Sequence, residues 1–406
     1  MKCDKVISFG GFYDIGEKII VSNTAFNGLL KLDKKSGTGE YLQVFPEDIQ
    51  IKQGMHHRVY HNNGLLFFAP DNANGVHIYN IETNELKFIP IIFNKSNRKR
   101  CIDSQRIGNV LWLFYGYADN PIVKFDMVTY EISLFWGVHN ELPDEIKDEN
   151  RLIFNTTLAR NNSEVFSIIW DSFYVIRLDL ISEKVQVISL KGYVKRLSGV
   201  AYLKGMLYFT ELSSKNVVGL DLREKKTFVY QCKTDLKLDE TKAFVCFYSN
   251  IIVSGEKIIL IPNSGRNILY VNIEKGCISD FVILPEQCQD ISDERHKWRR
   301  FYNFDATDER ILLYPNGVNM MIDIDTKNKT ITGILFYMEK SWMEKEYHKI
   351  IVENYLEGIV SHGPIQENQR ITIEDFAKYV ENTNITSIKL KENNVGKSIW
   401  EKLKNE

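Results

Sequence analysis

The sequence predicts an all-β protein: a seven-bladed β-propeller of four-stranded antiparallel blades, carrying a C-terminal helical tail. Three observations predict it. A strand–loop–strand unit that ends on Asp or Asn recurs seven times. Its terminal Asp or Asn residues lie 42 to 53 residues apart, the spacing of a propeller blade. Beyond Tyr337 the apolar pattern changes from a period of two to one of about four, the mark of helix.

The seven anchors are Asp33, Asn80, Asp126, Asp179, Asp221, Asn272 and Asp325. Each closes a pair of apolar runs such as Gly64-Leu-Leu-Phe-Phe-Ala and Gly75-Val-His-Ile-Tyr-Asn80. A further strand follows each anchor, as in 86–89, 132–135, 185–188 and 330–336. Another strand-like stretch precedes each unit, so four strands are expected per blade. An Asp or Asn at a strand end bonds its own backbone and sets a turn, which makes the anchors structural punctuation and not seven catalytic carboxylates. An Asn five or six residues earlier, present in six units (27, 74, 120, 216, 267 and 319), is expected to take left-handed backbone at a loop exit. Six blades with a degenerate seventh is the rival architecture. Both ends look complete, with an inner strand near 6–13 and an outer strand at 330–336. Closure is therefore expected from packing of the first blade on the last, without a swapped strand.

This division assigns 1–337 to the propeller and 338–406 to the tail. In the tail, Met343, Tyr347, Ile351, Tyr355 and Ile359 form one apolar stripe, ended by His362-Gly-Pro. Thr372-Ile-Glu-Asp375 reads as a capping box opening a second helix, and a third is expected after Asn394. These helices hold too few apolar residues for a core of their own, so they are expected to dock on the ring; binding a partner is the alternative.

Composition narrows the class. Aromatic residues make up 12% and charged residues 26%, a globular balance that favours pleated, half-buried surfaces. The net charge of −2 gives no overall attraction to nucleic acid or anionic membrane. No run of about 18 apolar residues occurs, and the N-terminus lacks the apolar core of a secretory signal. The six cysteines are scattered without a Cys-x-x-Cys pair, as in a cytoplasmic protein with reduced thiols, and zinc spacing is absent.

The first strand of each unit would line a central channel, and the loops entering those strands would form one mouth. Residues aligned there include Arg100, Arg196, Tyr248 and Arg300, with Arg58, Arg98, Arg151 and Arg299 beside them. Seven of the 15 arginines fall in these approaches. Guanidinium groups around a narrow mouth would focus positive potential and grip carboxylate or phosphate. The expected partner is thus an anionic small molecule, a glycan or an acidic protein segment. The plainer reading is that these arginines pair with neighbouring acids such as Asp103, Asp305 or Glu149.

His56, His57 and His61 form the densest imidazole cluster, at the start of the second unit's inner strand. Alternation places His57 and His61 on one face and His56 on the other. No third ligand or acid has the spacing for a metal site or general base, so no metal, cofactor or catalytic residue is assigned. A Gly-x-Ser-x-Gly elbow, a phosphate-binding Gly-rich loop, His-Glu-x-x-His and a calcium loop are also absent.

On its blade repeats, over about residues 1–337, the chain resembles the kelch, WD-repeat-like and streptogramin-lyase-like propellers. Gly10-Gly11 is the one trace of the kelch double glycine, and the Gly-His…Trp-Asp pairing of WD repeats is missing. Streptogramin-lyase-like enzymes use channel His and Glu with a divalent metal; no matching motif carries those roles onto this chain. The tail segments around Phe376 and Trp400 look like endings of propeller proteins from Gram-positive anaerobes. The function expected is non-catalytic binding or scaffolding, with a lyase or hydrolase acting on an anionic substrate as the alternative.

Overall fold

The computed structural model describes residues 7–46 apart from 25, then 54–93, 100–147, 152–154, 158–236, 246–288, and 301–342 apart from 316 and 317, with 347 and 352; of 302 and 303 it gives the backbone alone. Most of the tail, and Arg300, lie outside the described residues.

The chain is all-β and propeller-like. The first unit contains β1 (Phe9–Asp14), β2 (Lys18–Asn23), β3 (Leu29–Asp33) and β4 (Thr38–Gln43); the second contains β5 (His56–Asn62), β6 (Leu65–Pro70), β7 (Gly75–Asn80) and β8 (Leu86–Pro90). The third has β9 (Cys101–Ile107), β10 (Val110–Tyr115), β11 (Ile122–Asp126) and β12 (Ile132–Phe135), followed by a short helix, α1 (Gly137–Glu141). The fourth has β13 (Ala159–Asn161), β14 (Glu164–Ile168), β15 (Tyr174–Asp179) and β16 (Val185–Ser189). Then come β17 (Leu197–Leu203), β18 (Met206–Glu211), β19 (Ser214–Asp221) and β20 (Thr227–Cys232), and β21 (Tyr248–Ser254), β22 (Lys257–Pro262), β23 (Asn267–Asn272) and β24 (Cys277–Ile283). The last unit is β25 (Phe301–Ala306), β26 (Arg310–Pro315), β27 (Met320–Asp325) and β28 (Thr330–Leu335). Within every unit the strands pair antiparallel with their sequence neighbours.

Five of these units are separate sheets, and the fifth and sixth are not. Strands β17 to β24 form one eight-stranded sheet, because β20 and β24 pair in parallel at Gln231↔Cys277 and Cys232↔Ile278. The structure therefore has five blades and one eight-stranded sheet where the repeat predicts seven separate blades. Two outer edges left with unpaired backbone groups at close quarters join, which removes two exposed edges.

Seven apolar clusters hold successive units together. Phe67, Val76, Leu111 and Val123 join the second and third units, for example, and Ile259, Ile268, Leu313 and Ile322 join the sixth and seventh. The cluster of Ile19, Val21, Leu30, Leu312 and Met321 joins the last unit to the first and closes the ring. The first strands stand side by side around the centre, with β25 next to β1. Closure also has a strap: β29 (Tyr337–Met338) pairs in parallel with β4 at Tyr337↔Thr38 and Met338↔Gly39. Packing of first unit on last was expected; the two-residue strap was not. Trp342 then packs against Tyr41 with tilted rings, 5.3 Å between centroids, so the start of the tail docks on the first unit.

The anchors act as turn residues throughout. Asp33, Asn80, Asp126, Asp179, Asp221 and Asp325 each accept the backbone N–H groups two and three residues on, and Asn272 accepts the one three residues on. These bonds hold the Asp126 and Asp221 carboxyls below the usual carboxylate range. The residue four positions after each anchor has positive φ: Gly37, Asn84, Tyr130, Glu183, Lys225, Gly276 and Lys329. Left-handed backbone thus falls there. None of the six upstream Asn residues has positive φ. Instead Asn27 exchanges two hydrogen bonds with the Phe45 backbone, and Asn216 accepts from Cys232 N–H, closing the far end of the hairpin between third and fourth strands.

Candidate functional site

Charged side chains within first strands should be rare, because those strands are buried in the ring. Five units nevertheless carry them: Asp14 on β1, Arg58 on β5, Asp103 and Arg106 on β9, Arg160 on β13 and Asp305 on β25. Arg58, Arg160 and Asp305 line a central cavity of about 220 Å³, whose wall also includes Val200, Tyr202, Ile252 and Phe304. The lining comes from the second halves of β17, β21 and β25, toward their hairpin ends.

Asp103 organises one side of this site. It is 2% exposed and accepts from Ser104 N–H at 2.8 Å, Leu158 N–H at 3.0 Å and Arg160 NH2 at 2.9 Å. Arg58 Nε lies 3.5 Å from its other oxygen. Burial would raise this carboxyl, but Arg160 and Arg58 outweigh it and hold the group below its ordinary value. Two guanidinium groups thus share one buried carboxylate. Arg160 is fully engaged, since its remaining nitrogens donate to Gln105 Oε1 and Leu158 O. Arg58 is held more loosely, by its 3.5 Å approach to Asp103 and a side-chain hydrogen bond with Tyr60, and it lines the cavity. Burial opposes its charge, and Asp103, Tyr60 and Asp305 more than compensate.

A hydrogen-bonded chain runs behind Arg58. His57 Nδ1 is 2.7 Å from Pro70 O, and a carbonyl can only accept, so Nδ1 carries the proton. His57 Nε2 then accepts from Ser104 Oγ at 2.9 Å, and Ser104 Oγ accepts from the Tyr60 hydroxyl at 2.9 Å. Burial lowers His57, with Asp103 and Asp71 opposing, so the neutral form is favoured.

His56 belongs to a different chain. His77 Nε2 donates to Pro46 O at 3.0 Å, His56 Nε2 donates to His77 Nδ1 at 2.9 Å, and Ser22 Oγ donates to His56 Nδ1 at 2.7 Å. His56 and His77 are both 0% exposed. This chain staples the second unit to the first. His61 accepts from Gly64 N–H at 3.2 Å and stacks on Tyr13. His57 therefore shares a face with Tyr60, toward the third unit, while His56 and His61 turn toward the first. The expected pairing of His57 with His61 fails because a β-bulge between His56 and Arg58 inserts a residue and reverses the alternation. Among the described residues no group of three His, Cys, Asp or Glu side chains is placed to hold a metal ion.

The remaining predicted residues lie at the other ends of the first strands. Arg100 Nε donates to Asp71 Oδ1 at 2.8 Å, and Arg196 makes a two-pronged bond to Asp171. In each case an arginine entering one unit grips a carboxylate in a loop of the unit before. Tyr248 is buried, its hydroxyl donating to Lys215 O at 2.5 Å. None of the three lines the cavity. Gly10 and Gly11 are explained by packing: a Cβ at Gly10 would meet His56 O at 2.8 Å and one at Gly11 the Arg58 backbone at 3.0 Å. Sequence reading passed over Arg160 and Tyr60 as site residues. Their signal was a polar or charged side chain inside a first strand, not one in the loop before it.

No protein-family model matches the chain, and no curated protein matches it in sequence. Solved structures do match in fold. Virginiamycin B lyase from Staphylococcus aureus is similar over 77% of this chain and 93% of its own, with a TM-score of 0.52 and 12% identity. A streptogramin B lyase matches with a TM-score of 0.51 at 13% identity, over 77% of this chain and 93% of that one. Apo AztD from Citrobacter koseri matches with a TM-score of 0.51 at 11% identity, over 79% and 95%. The chain thus shares the fold of streptogramin B lyase-like β-propellers.

Proposed function

We propose that this protein is a seven-bladed propeller, its eight-stranded sheet counting as two blades joined at their edges, and that it binds a small anionic ligand in the central cavity. Arg58 is the anchor. The observation that carries this reading is the pairing of two guanidinium groups with one buried carboxylate, in which Arg58, the more loosely held of the two, lines the cavity. A carboxylate or phosphate oxygen is the acceptor that suits such a fork. Ligand binding raises the apparent stability of the folded state. Thermal-shift measurements with simple carboxylates and phosphates at low ionic strength should raise Tm for the native chain and leave folded Arg58→Gln unchanged. Equal shifts for both would reject Arg58 as the anchor.

A second reading is enzymatic, a lyase or hydrolase acting on the bound anion. It is favoured by the Tyr60–Ser104–His57 chain beside Arg58, which links a phenol to an imidazole base. The fold relatives named as lyases point the same way. Turnover of a bound ligand that disappears in Tyr60→Phe, with binding retained, would establish this reading over simple binding.

A further inference from the structure

We infer that the cavity takes a compact zwitterion, its carboxylate on Arg58 and its ammonium on Asp305. This rests on the reading of Arg58 as the anion anchor. Asp305 stands on β25, in the same cavity wall as Arg58 on β5, and the two interact electrostatically. It is exposed, one oxygen accepts from Ala306 N–H at 3.0 Å, and among the described residues no hydrogen bond engages the other. A simple anion held by Arg58 would share a cavity of about 220 Å³ with this second carboxylate. Two charges this close lie within the Debye length of roughly 8 Å, so salt does not remove the repulsion. A ligand ammonium converts it to attraction.

Between the charged ends the wall is first-strand chain at Val200, Ala201, Ile251, Ile252 and Val253 together with Phe304, and the Val200, Ala201, Ile251 and Ile252 side chains are buried in the clusters between units. The volume limits size, being below the ~300 Å³ at which sites for drug-sized ligands begin.

Three probes with one kind of carbon skeleton separate the possibilities: leucine, isocaproate and isoamylamine, titrated calorimetrically into the full chain near neutral pH. Leucine should bind about tenfold or more tightly than isocaproate, as one added ion pair of ~1.4 kcal/mol would give, and isoamylamine should bind weakest. Asp305→Asn should bring leucine and isocaproate level, and Arg58→Gln should abolish binding of both, with circular dichroism confirming that each variant is folded. Isocaproate binding as tightly as leucine to the native chain would overturn the zwitterion inference and leave the anion site standing. Failure of both leucine and isocaproate to bind would overturn the inference together with the anion reading on which it rests.

Discussion

Arg310 in the last unit reaches Asp14 in the first, NH1 to Oδ2 at 3.4 Å, across 296 residues of chain. The same guanidinium grips Asp323 through Nε at 2.7 Å and NH2 at 2.6 Å, and Lys34 donates to both oxygens of Asp14. Four charges thus form one network over the seam where the ring closes. The partners are half-buried, so the network adds modestly to the apolar cluster beneath it. Arg310→Ala should lower stability by about 1 kcal/mol. The loss should shrink at high salt, and a thermal-melting series across ionic strength measures both.

Asp103 and Asp305 should behave oppositely on mutation. Removing the Asp103 carboxylate leaves Arg160 without its ion pair in a buried setting, a change that costs about 3–5 kcal/mol. Asp305→Asn touches an exposed group with one local bond and should change stability by less than about 0.5 kcal/mol. Denaturant melts of the two variants test the contrast, and equal losses would contradict the assignment of structural and ligand-facing roles.

Acid should loosen the joint between the first and second units. Burial holds His77 at about 4 against an ordinary 6.5, and burial with His77 and His57 nearby holds His56 well below that value. In the unfolded chain both imidazoles take up protons near pH 6.5, while in the fold they stay neutral. Their contribution is therefore fully present above pH 6.5 and is lost as pH falls toward about 4. For His77 the loss is on the order of 3 kcal/mol at full titration. Tm measured against pH should fall over this window, and less steeply in His77→Gln.

The turn after each anchor offers a stabilising substitution. Lys225 holds positive φ, at 56°, with an exposed side chain. Left-handed backbone costs an L-residue about 1 kcal/mol or more, and glycine avoids that strain at some entropic cost. Lys225→Gly should therefore raise stability by roughly 0.5–1 kcal/mol, as Gly37 and Gly276 illustrate at the same place in other units. Asp126→Ala should lower Tm, whereas Asp126→Asn should be tolerated, since Asn80 fills the equivalent role.

Much of the architecture was legible from local chemistry. The Asp and Asn anchors and the strand pairs they close depend on residues near one another in the chain. Local reasoning also misled where geometry turned on one residue. The bulge at His56–Arg58 reversed a face, and Asn27 and Asn216 bond the Phe45 and Cys232 backbone without entering left-handed space.

The candidate site was legible only in part. Arg58 was named among the site residues for its place near a channel mouth. Its importance comes from Asp103, Arg160 and Asp305, which lie 45, 102 and 247 positions away in the chain. Arg100 and Arg196 have the same local signal, yet each meets an aspartate from the preceding unit.

The repeat alone decides that this chain forms small antiparallel sheets with a common turn, because a turn is set by bonds spanning three or four residues. Which sheets fuse at their edges, and which arginines line the cavity, are decided by contacts between units. Those contacts obey the packing of the closed ring, and no period in the sequence encodes them.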